Sequence, residues 1–307
     1  MADLKKIFED VPPGVGRYGV VGHNIPYTLS PAMHTAALAR YGIPAVYRTI
    51  DVSPDEWLDF VRQAESELSG FNVTVPHKER ARGLAAGTSA ASWDFLGAVN
   101  TVGRSGDGWR VANTDVEGFD EDLRALGVSV RGKNVLLWGA GGAARAVLGA
   151  LALHPDSVPA RVDVLNRTPA RVKTLLDDLN ARGSVGLRRL AIHAPSAAES
   201  ARAVANADLL INATSAGEDP LVGSAPLKRT VVAYDLTYRK PTAFMAAVRR
   251  SGGTAHGGLG MLVNQGARAF EFWFEGYLKK KVDYSFLDLR RVMRDAAEKA
   301  LKERETA

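Results

Sequence analysis

The chain has 307 residues, 46% of them apolar, and no cysteine, with 39 basic against 34 acidic side chains for a net charge of +5. At roughly 100–200 residues per domain this length suggests two domains, and the ordinary apolar fraction excludes disordered, collagenous and coiled-coil chains. The missing cysteines exclude a disulfide framework, a thiolate nucleophile and any cysteine-ligated zinc or iron–sulfur centre. The opening residues MADLKKIFEDVPPG lack the apolar core of a signal peptide, and no 18-residue apolar run occurs. A cytoplasmic protein without a membrane partner is expected.

Short β-rich runs alternate with helical patterns, which predicts an α/β protein with parallel sheets. Strands are expected over 17–22 (RYGVVG), 46–50 and 70–75 (GFNVTV), with a helix over 31–41 between the first two. A helix over 117–126 leads into a regular unit: strand 135–138, a glycine cluster, helix 143–153 and strand 161–165. Residues 208–212 and 231–235 read as two more strands of that sheet, and 262–274 as a helix leaving it. Boundaries near Asp115 and His256 would insert one domain into the other.

The segment NVLLWGAGGAARAVLGAL is a strand, a tight turn and a helix in the order a dinucleotide site requires. Gly139, Gly141 and Ala144 occupy the three fingerprint positions: the first permits the turn, the second lets backbone approach a pyrophosphate, the third lets helix pack on strand. Backbone amides over Gly139, Ala140, Gly141, Gly142 and Ala143 would then face the anion. At the end of the next strand an NAD-binding chain usually carries a carboxylate for the ribose hydroxyls. Here the residues are Asn166, Arg167 and Thr168, with Arg171 close behind. Guanidinium groups bind a phosphate through paired charged hydrogen bonds, so this stretch favours NADP over NAD.

Near the N-terminus, Ser30 before Pro31 reads as a helix N-cap, and Thr28 adds a second hydroxyl beside exposed helix amides. Together the two hydroxyls suit a carboxylate. Asn72, Thr74 and Lys78 end or follow the strand in GFNVTVPHK, Asn100 lies in GAVNT, and Asp115 closes ANTD. A lysine facing a carboxylate in a dry cleft can transfer a proton.

These segments together resemble the shikimate dehydrogenase family over nearly the whole chain. The shared landmarks run in order: GHNIPYTLSPAMH, GFNVTVPHK, GAVNT, NTD, GAGGAAR, NRT, NATSAG and GLGMLVNQGARAF. The resemblance implies two α/β domains with a cleft between them. Residues 1–115 and 257–307 would form the substrate-binding domain, and 116–256 a Rossmann-like NADP-binding domain. It implies a reversible NADP-linked reduction of 3-dehydroshikimate to shikimate by a monomer or homodimer. By the same resemblance Thr28 and Ser30 would bind the substrate carboxylate. Asn72, Thr74, Asn100, Asp115 and Gln265 would hold ring hydroxyls, and Tyr238 would line the substrate side. Lys78 and Asp115 would be the catalytic pair. Gly258 and Met261 would sit near the nicotinamide, and Thr214, within Asn212 to Ser215, would follow the cofactor.

The chain departs from the family pattern at Thr28, where serine is commoner, at Tyr27, where histidine is common, and at His23-Asn24. The threonine methyl narrows the space beside the carbon that carries the carboxylate, so a quinate/shikimate dehydrogenase using NAD or NADP is the alternative. A non-catalytic ligand sensor of the same fold is a third reading, opposed by the presence of both Lys78 and Asp115.

The remaining signals have plainer readings. None of the six histidines has metal-ligand spacing, and His77 is expected at the surface and His34 packed. No basic stripe with interleaved aromatics points to nucleic acid. Residues 277–307 hold nine basic against six acidic side chains, more than half of the net charge. Within them the run Lys279 to Lys281 reads as a solvated helix end. The tail 286–305 carries Leu287, Val292, Ala296 and Leu301 among its charges and suggests a docking helix or partner surface.

Overall fold

The run from Gly16, with Val20 and Val21 both buried, builds the first strand of a five-stranded sheet. The computed structural model describes residues 3–85, 96–106, 108–182, 187–214, 225–281 and 283–306. Two compact units share the chain. The first is Met1–Asp94, Ala98–Thr114 and Val263–Ala307; the second is Phe95–Gly97 and Asp115–Leu262.

In the first unit, β1 (Gly16–Gly22), β2 (Ala45–Asp51), β3 (Gly70–Val73), β4 (Thr101–Ser105) and β5 (Gly108–Ala112) lie in the order β2-β1-β3-β4-β5. The first three pair in parallel, but β4 and β5 form an antiparallel hairpin on the β3 edge. To the parallel strands expected from the sequence the first unit adds this hairpin, which passes through Gly106 (φ +55°) and needs no crossover helix. Helices α1 (Leu4–Ile7), α2 (Ser30–Tyr41) and α3 (Trp57–Glu67) complete the N-terminal part. Phe8, Trp57, Phe60, Phe71 and Trp109 dominate a core with Val21, Ile50 and Val102.

The second unit holds a six-stranded parallel sheet. Its strands are β6 (Asn134–Trp138), β7 (Arg161–Leu165), β8 (Ile192–His193), β9 (Leu209–Asn212), β10 (Val232–Asp235) and β11 (Thr254–Gly257). The order β11-β10-β9-β6-β7-β8 reverses direction between β6 and β9, and α/β sheets bind ligands beyond the carboxyl ends of strands at such a switch point. Helices α4 (Asp115–Ala125), α5 (Gly142–Leu151), α6 (Pro169–Ala181), α7 (Ala197–Asn206) and α8 (Ala243–Arg250) connect and flank the strands. The inner strands are largely apolar, as strands covered on both faces are: Leu136, Leu210 and Ala233 share one core with Val231 and with Phe244 and Val248 of α8.

Helix α9 (Leu259–Leu278) begins in the second unit and continues in the first, with the change at Leu262. In the first unit its Trp273 donates its indole N–H to the Val102 carbonyl at 2.8 Å. Gly70 and Gly103 are register partners there, and a Cβ on Gly70 would lie 2.8 Å from the Trp273 ring nitrogen. Glycine at both positions lets the indole lie down on the sheet.

Helix α10 (Phe286–Thr306) packs on α2. Its buried residues are Leu289, Met293 and Ala297, spaced by four and therefore on one face. That corrects the apolar set read from the sequence, because Leu287 is 74% exposed. The buried stripe is already occupied by this chain's own α2. Among the described residues no helix is long and apolar enough to cross a membrane.

Candidate active site

The first unit contains a buried string of hydrogen-bonded polar side chains. Thr28 Oγ1 donates to Ser30 Oγ at 3.2 Å and accepts from the Ser30 backbone N–H at 3.3 Å. Ser30 is therefore not the N-cap expected from the sequence: it is the first residue of the helix, Leu29 is the N-cap without a side-chain bond, and the Thr28 hydroxyl takes up the Ser30 N–H. Removing that task leaves the Ser30 hydroxyl to bond the Tyr47 phenol.

Tyr47 in turn donates to Asn72 Oδ1 at 2.7 Å. Asn72 Nδ2 donates to the Asn100 carbonyl and to Thr101 Oγ1, each at 3.1 Å. Thr101 donates to Asn100 Oδ1 at 3.0 Å, which also accepts from the Thr114 backbone N–H at 2.7 Å. Asn100 Nδ2 reaches Thr114 Oγ1 at 2.9 Å and Gln265 Oε1 at 3.3 Å. Five parts of the fold supply these groups: the start of α2, strand β2, strand β3, the ends of the β4–β5 hairpin and α9. Thr28, Ser30, Asn72, Asn100 and Gln265 thus fall in one network. Tyr47, Thr101 and Thr114 belong to it as well: Tyr47 stands in no motif, and in GAVNT and ANTD the sequence reading singles out only Asn100 and Asp115.

Desolvation governs the electrostatics here. Burial pushes the Tyr47 phenol well above its ordinary value, with the Ser30 hydrogen bond opposing. His34 stacks on that phenol ring, with centroids 4.2 Å apart and planes 10° from parallel. Burial alone drives His34 down to about 3, so it is a neutral aromatic at physiological pH.

Thr74 and Lys78 follow β3. The Thr74 backbone N–H donates to the Val21 carbonyl at 2.8 Å, and the Lys78 carbonyl accepts from Val99 at 2.9 Å, so the backbone around the lysine is held on both sides. His77 contradicts the expectation of a surface residue. It is fully buried, its Nε2 meets the Val52 carbonyl at 2.7 Å, and its ring stacks on Trp57 at 4.8 Å. A carbonyl partner makes that nitrogen the protonated one. The apolar neighbour and the backbone bond make His77 the anchor of the segment that carries Lys78, which is half-buried. Asp115 opens α4 in the second unit and is 4% exposed.

In the second unit the glycine turn leaves β6 as the fingerprint requires. Gly139 has φ +121°, and a Cβ there would press within 3.1 Å of the Ala213 backbone. Gly141 differs: its φ is ordinary at −101° and nothing lies within 4 Å of where its Cβ would be. Gly141 is the N-cap of α5, and the backbone beside it is left open. Ala140 is buried, Gly142 and Ala143 form the first turn of α5, and Ala144 is completely buried. Across the switch point, Asn212 Oδ1 accepts from the Thr214 N–H at 3.0 Å and from its hydroxyl at 2.7 Å, which fixes the exit from β9. Ser215 lies outside the described residues.

At the end of β7, Asn166 Nδ2 donates to the Thr168 carbonyl at 3.1 Å. Thr168 caps α6 without using its side chain. Arg167 and Arg171 are exposed and form no ion pair among the described residues. Two guanidiniums and a hydroxyl therefore stand beside the expected ribose position, and no carboxylate follows the strand end before Asp177.

The β10 exit is held by Asp235, fully buried, which accepts from the Thr237 N–H at 2.9 Å and the Thr242 hydroxyl at 2.6 Å. Thr242 caps α8 by accepting from the Met245 N–H at 3.3 Å. Tyr238 stands half-buried between these two. Gly258 packs so tightly that a Cβ would meet the Leu236 carbonyl. Two residues on, the Asp122 carboxylate occupies the space where a Gly260 side chain would project, and it accepts from the Tyr234 hydroxyl at 2.6 Å. Met261, 6% exposed, follows at the start of α9. Asp122 and Asp235 are positioning groups that no sequence motif announced.

Comparison with known proteins gives a consistent answer. The domain pattern described as the shikimate dehydrogenase substrate binding domain matches residues 20–102, and that described as the shikimate 5'-dehydrogenase C-terminal domain matches residues 258–275. The NADP(+) shikimate dehydrogenase of Symbiobacterium thermophilum is 38% identical over 270 residues, covering 85% of this chain and 90% of that protein. The Methanopyrus kandleri enzyme of the same name is 37% identical, covering 83% and 89%. Among solved structures, Thermus thermophilus shikimate 5-dehydrogenase in complex with NADP(H) and shikimate superposes with a TM-score of 0.72 at 32% identity, covering 93% of this chain and all of that one.

Proposed function

The chain belongs to the shikimate dehydrogenase family, and from that premise we propose that it catalyses the reversible reduction of 3-dehydroshikimate to shikimate. It is an oxidoreductase that uses NADP. One observation supports the substrate class above all: the buried network from Thr28 to Gln265 offers a continuous run of hydroxyl and amide groups. Such a set suits a ligand with several hydroxyls. Thr28 and Ser30, beside the first turn of a helix, suit its carboxylate.

Each residue then has a task. Thr28 and Ser30 bind the carboxylate, while Asn72, Thr74, Asn100 and Gln265 orient the ring hydroxyls and Tyr238 covers the substrate. Gly139 to Ala143 present backbone amides to the pyrophosphate, Arg167, Thr168 and Arg171 take the 2′-phosphate, and Thr214, Gly258 and Met261 line the dinucleotide. When bound, the nicotinamide supplies the hydride in one direction and accepts it in the other. Lys78 stabilises the negative charge that develops on the ketone oxygen and delivers the proton; Asp115 orients the lysine and holds a neighbouring hydroxyl.

A second reading is activity on quinate as well, because Thr28 departs from the serine commoner in the family. The threonine methyl group reshapes the space beside the carboxylate-bearing carbon, where quinate carries an extra hydroxyl. The test is steady-state oxidation of shikimate and of quinate, each with NADP and NAD, followed by absorbance of the reduced cofactor. Shikimate with NADP should give the largest kcat/KM. A larger value for quinate with NAD would replace this assignment.

A further inference from the structure

The C-terminal helix has an end that reaches the proposed carboxylate site. Its first turn and the segment just before it are fastened to the far end of α2: Arg40 donates to Asp283 and Asp288 at 3.0 Å each, and Tyr41 donates to Asp288 at 3.3 Å. The buried face Leu289, Met293 and Ala297 then follows α2 backwards. Seven residues beyond Ala297, two helical turns along the same face, Arg304 donates to the Tyr27 carbonyl and, at 3.0 Å, to the Thr28 carbonyl. Those two carbonyls belong to the turn that carries the Thr28 and Ser30 hydroxyls.

We propose that Arg304 is a positioning residue for the substrate carboxylate, a strap that fixes the Tyr27–Thr28 backbone so that the two hydroxyls keep their aim. The inference rests on the reading of Thr28 and Ser30 as carboxylate ligands. Its physical basis is the guanidinium fork, whose several donors hold two adjacent carbonyls in one geometry. A lone ammonium does this less well. Arg304 sits in the last turn of a helix, where a cation would ordinarily fold back on its own terminal carbonyls; here it reaches to another element instead. The basic tail thus acquires a role inside its own unit.

The test uses the full-length enzyme with three variants, Arg304→Met, Arg304→Lys and Ser30→Ala, and the double variant of Met and Ala. Arg304→Met keeps the aliphatic stem and removes the donors. It is expected to raise the KM for shikimate about three- to tenfold, the equivalent of one net hydrogen bond, with kcat and the KM for NADP within twofold. Arg304→Lys should recover part of that loss. The double variant should lose less than the product of the single losses, because both changes act on one turn. An unchanged shikimate KM in Arg304→Met alongside a raised one in Ser30→Ala overturns the strap. An unchanged KM in Ser30→Ala removes the carboxylate reading itself, and the proposal with it. Equal losses in both KM values together with a lowered melting temperature would reduce Arg304 to a structural contact, and that too overturns the proposal.

Discussion

Tyr47 on β2 donates to Asn72 on β3 at 2.7 Å, reaching across β1, the strand between them. The bond joins the hydroxyl pair at the start of α2 to the amide cluster around Asn100, so the two ends of the proposed substrate share one chain of polar contacts. Removing only the phenolic oxygen tests that linkage. Tyr47→Phe preserves the stacking on His34 and deprives a buried amide oxygen of its donor, which costs about 1–3 kcal/mol. The expected result is a shikimate KM raised several-fold, with a matching fall in unfolding free energy measured in urea. Wild-type values of both would mean that Asn72 is held by its other bonds alone.

Lys78 is the proposed proton donor. Lys78→Ala is expected to lower kcat by about two to four orders of magnitude, the usual effect of a lost acid–base group, while shikimate affinity changes much less. Rapid-quench or steady-state assays at saturating NADP separate the two. Turnover near the wild-type level would end the assignment.

Cofactor choice depends on exposed groups and should respond to salt. Replacing Arg167 and Arg171 together with alanine is expected to raise the KM for NADP by about tenfold or more, and to leave the KM for NAD almost unchanged. The wild-type preference should itself shrink as ionic strength rises, because exposed charges are screened. Parallel losses for both dinucleotides would place the 2′-phosphate elsewhere.

Acid stability has a definite sign. In an unfolded chain an imidazole titrates near 6.5, whereas burial holds His34 down to about 3 in the folded protein. Burial also lowers His77, against the opposing pull of its bond to Val52. Between those values the folded state binds fewer protons than the unfolded one, so acid favours unfolding. The stabilisation due to neutral His34 is complete above about pH 6.5 and disappears as the pH falls towards 3, at up to about 1.4 kcal/mol per pH unit. Urea midpoints measured from pH 7 to 4 should fall, and His34→Leu should flatten the curve. An unaltered slope in that variant would rule out His34 as its source.

Local patterns explain what the sequence disclosed. The glycine turn, α2 and most strands were legible because a few neighbouring residues determine each one. Gly139 needs its φ of +121° whatever the rest of the chain does. Features made by distant convergence were not legible. Tyr47 looks like an ordinary strand residue, and Thr101 and Thr114 like neighbours of the motif polar groups, until the sheet order brings them to Asn72 and Asn100. His77 reads as polar surface because its carbonyl partner, Val52, lies 25 residues away. The phase of α10 was misread for a related reason: Leu287 and Val292 are as apolar as the true face, and only α2 decides which side is covered.

The close approach of Asp122 to Gly260 has a consequence for sequence space. Inside a helix, alanine normally outperforms glycine by about 1 kcal/mol, so Gly260 is where a stability-minded engineer would substitute first. The methyl group would fall on the Asp122 carboxylate, whose other oxygen is already committed to Tyr234. Gly260→Ala should therefore lower the melting temperature, while the same change at Gly276, further along α9 and open on all sides, should raise it. In a saturation library selected for growth, position 260 would be depleted of every side chain, a vacancy in the amino-acid alphabet created by a residue 138 positions earlier.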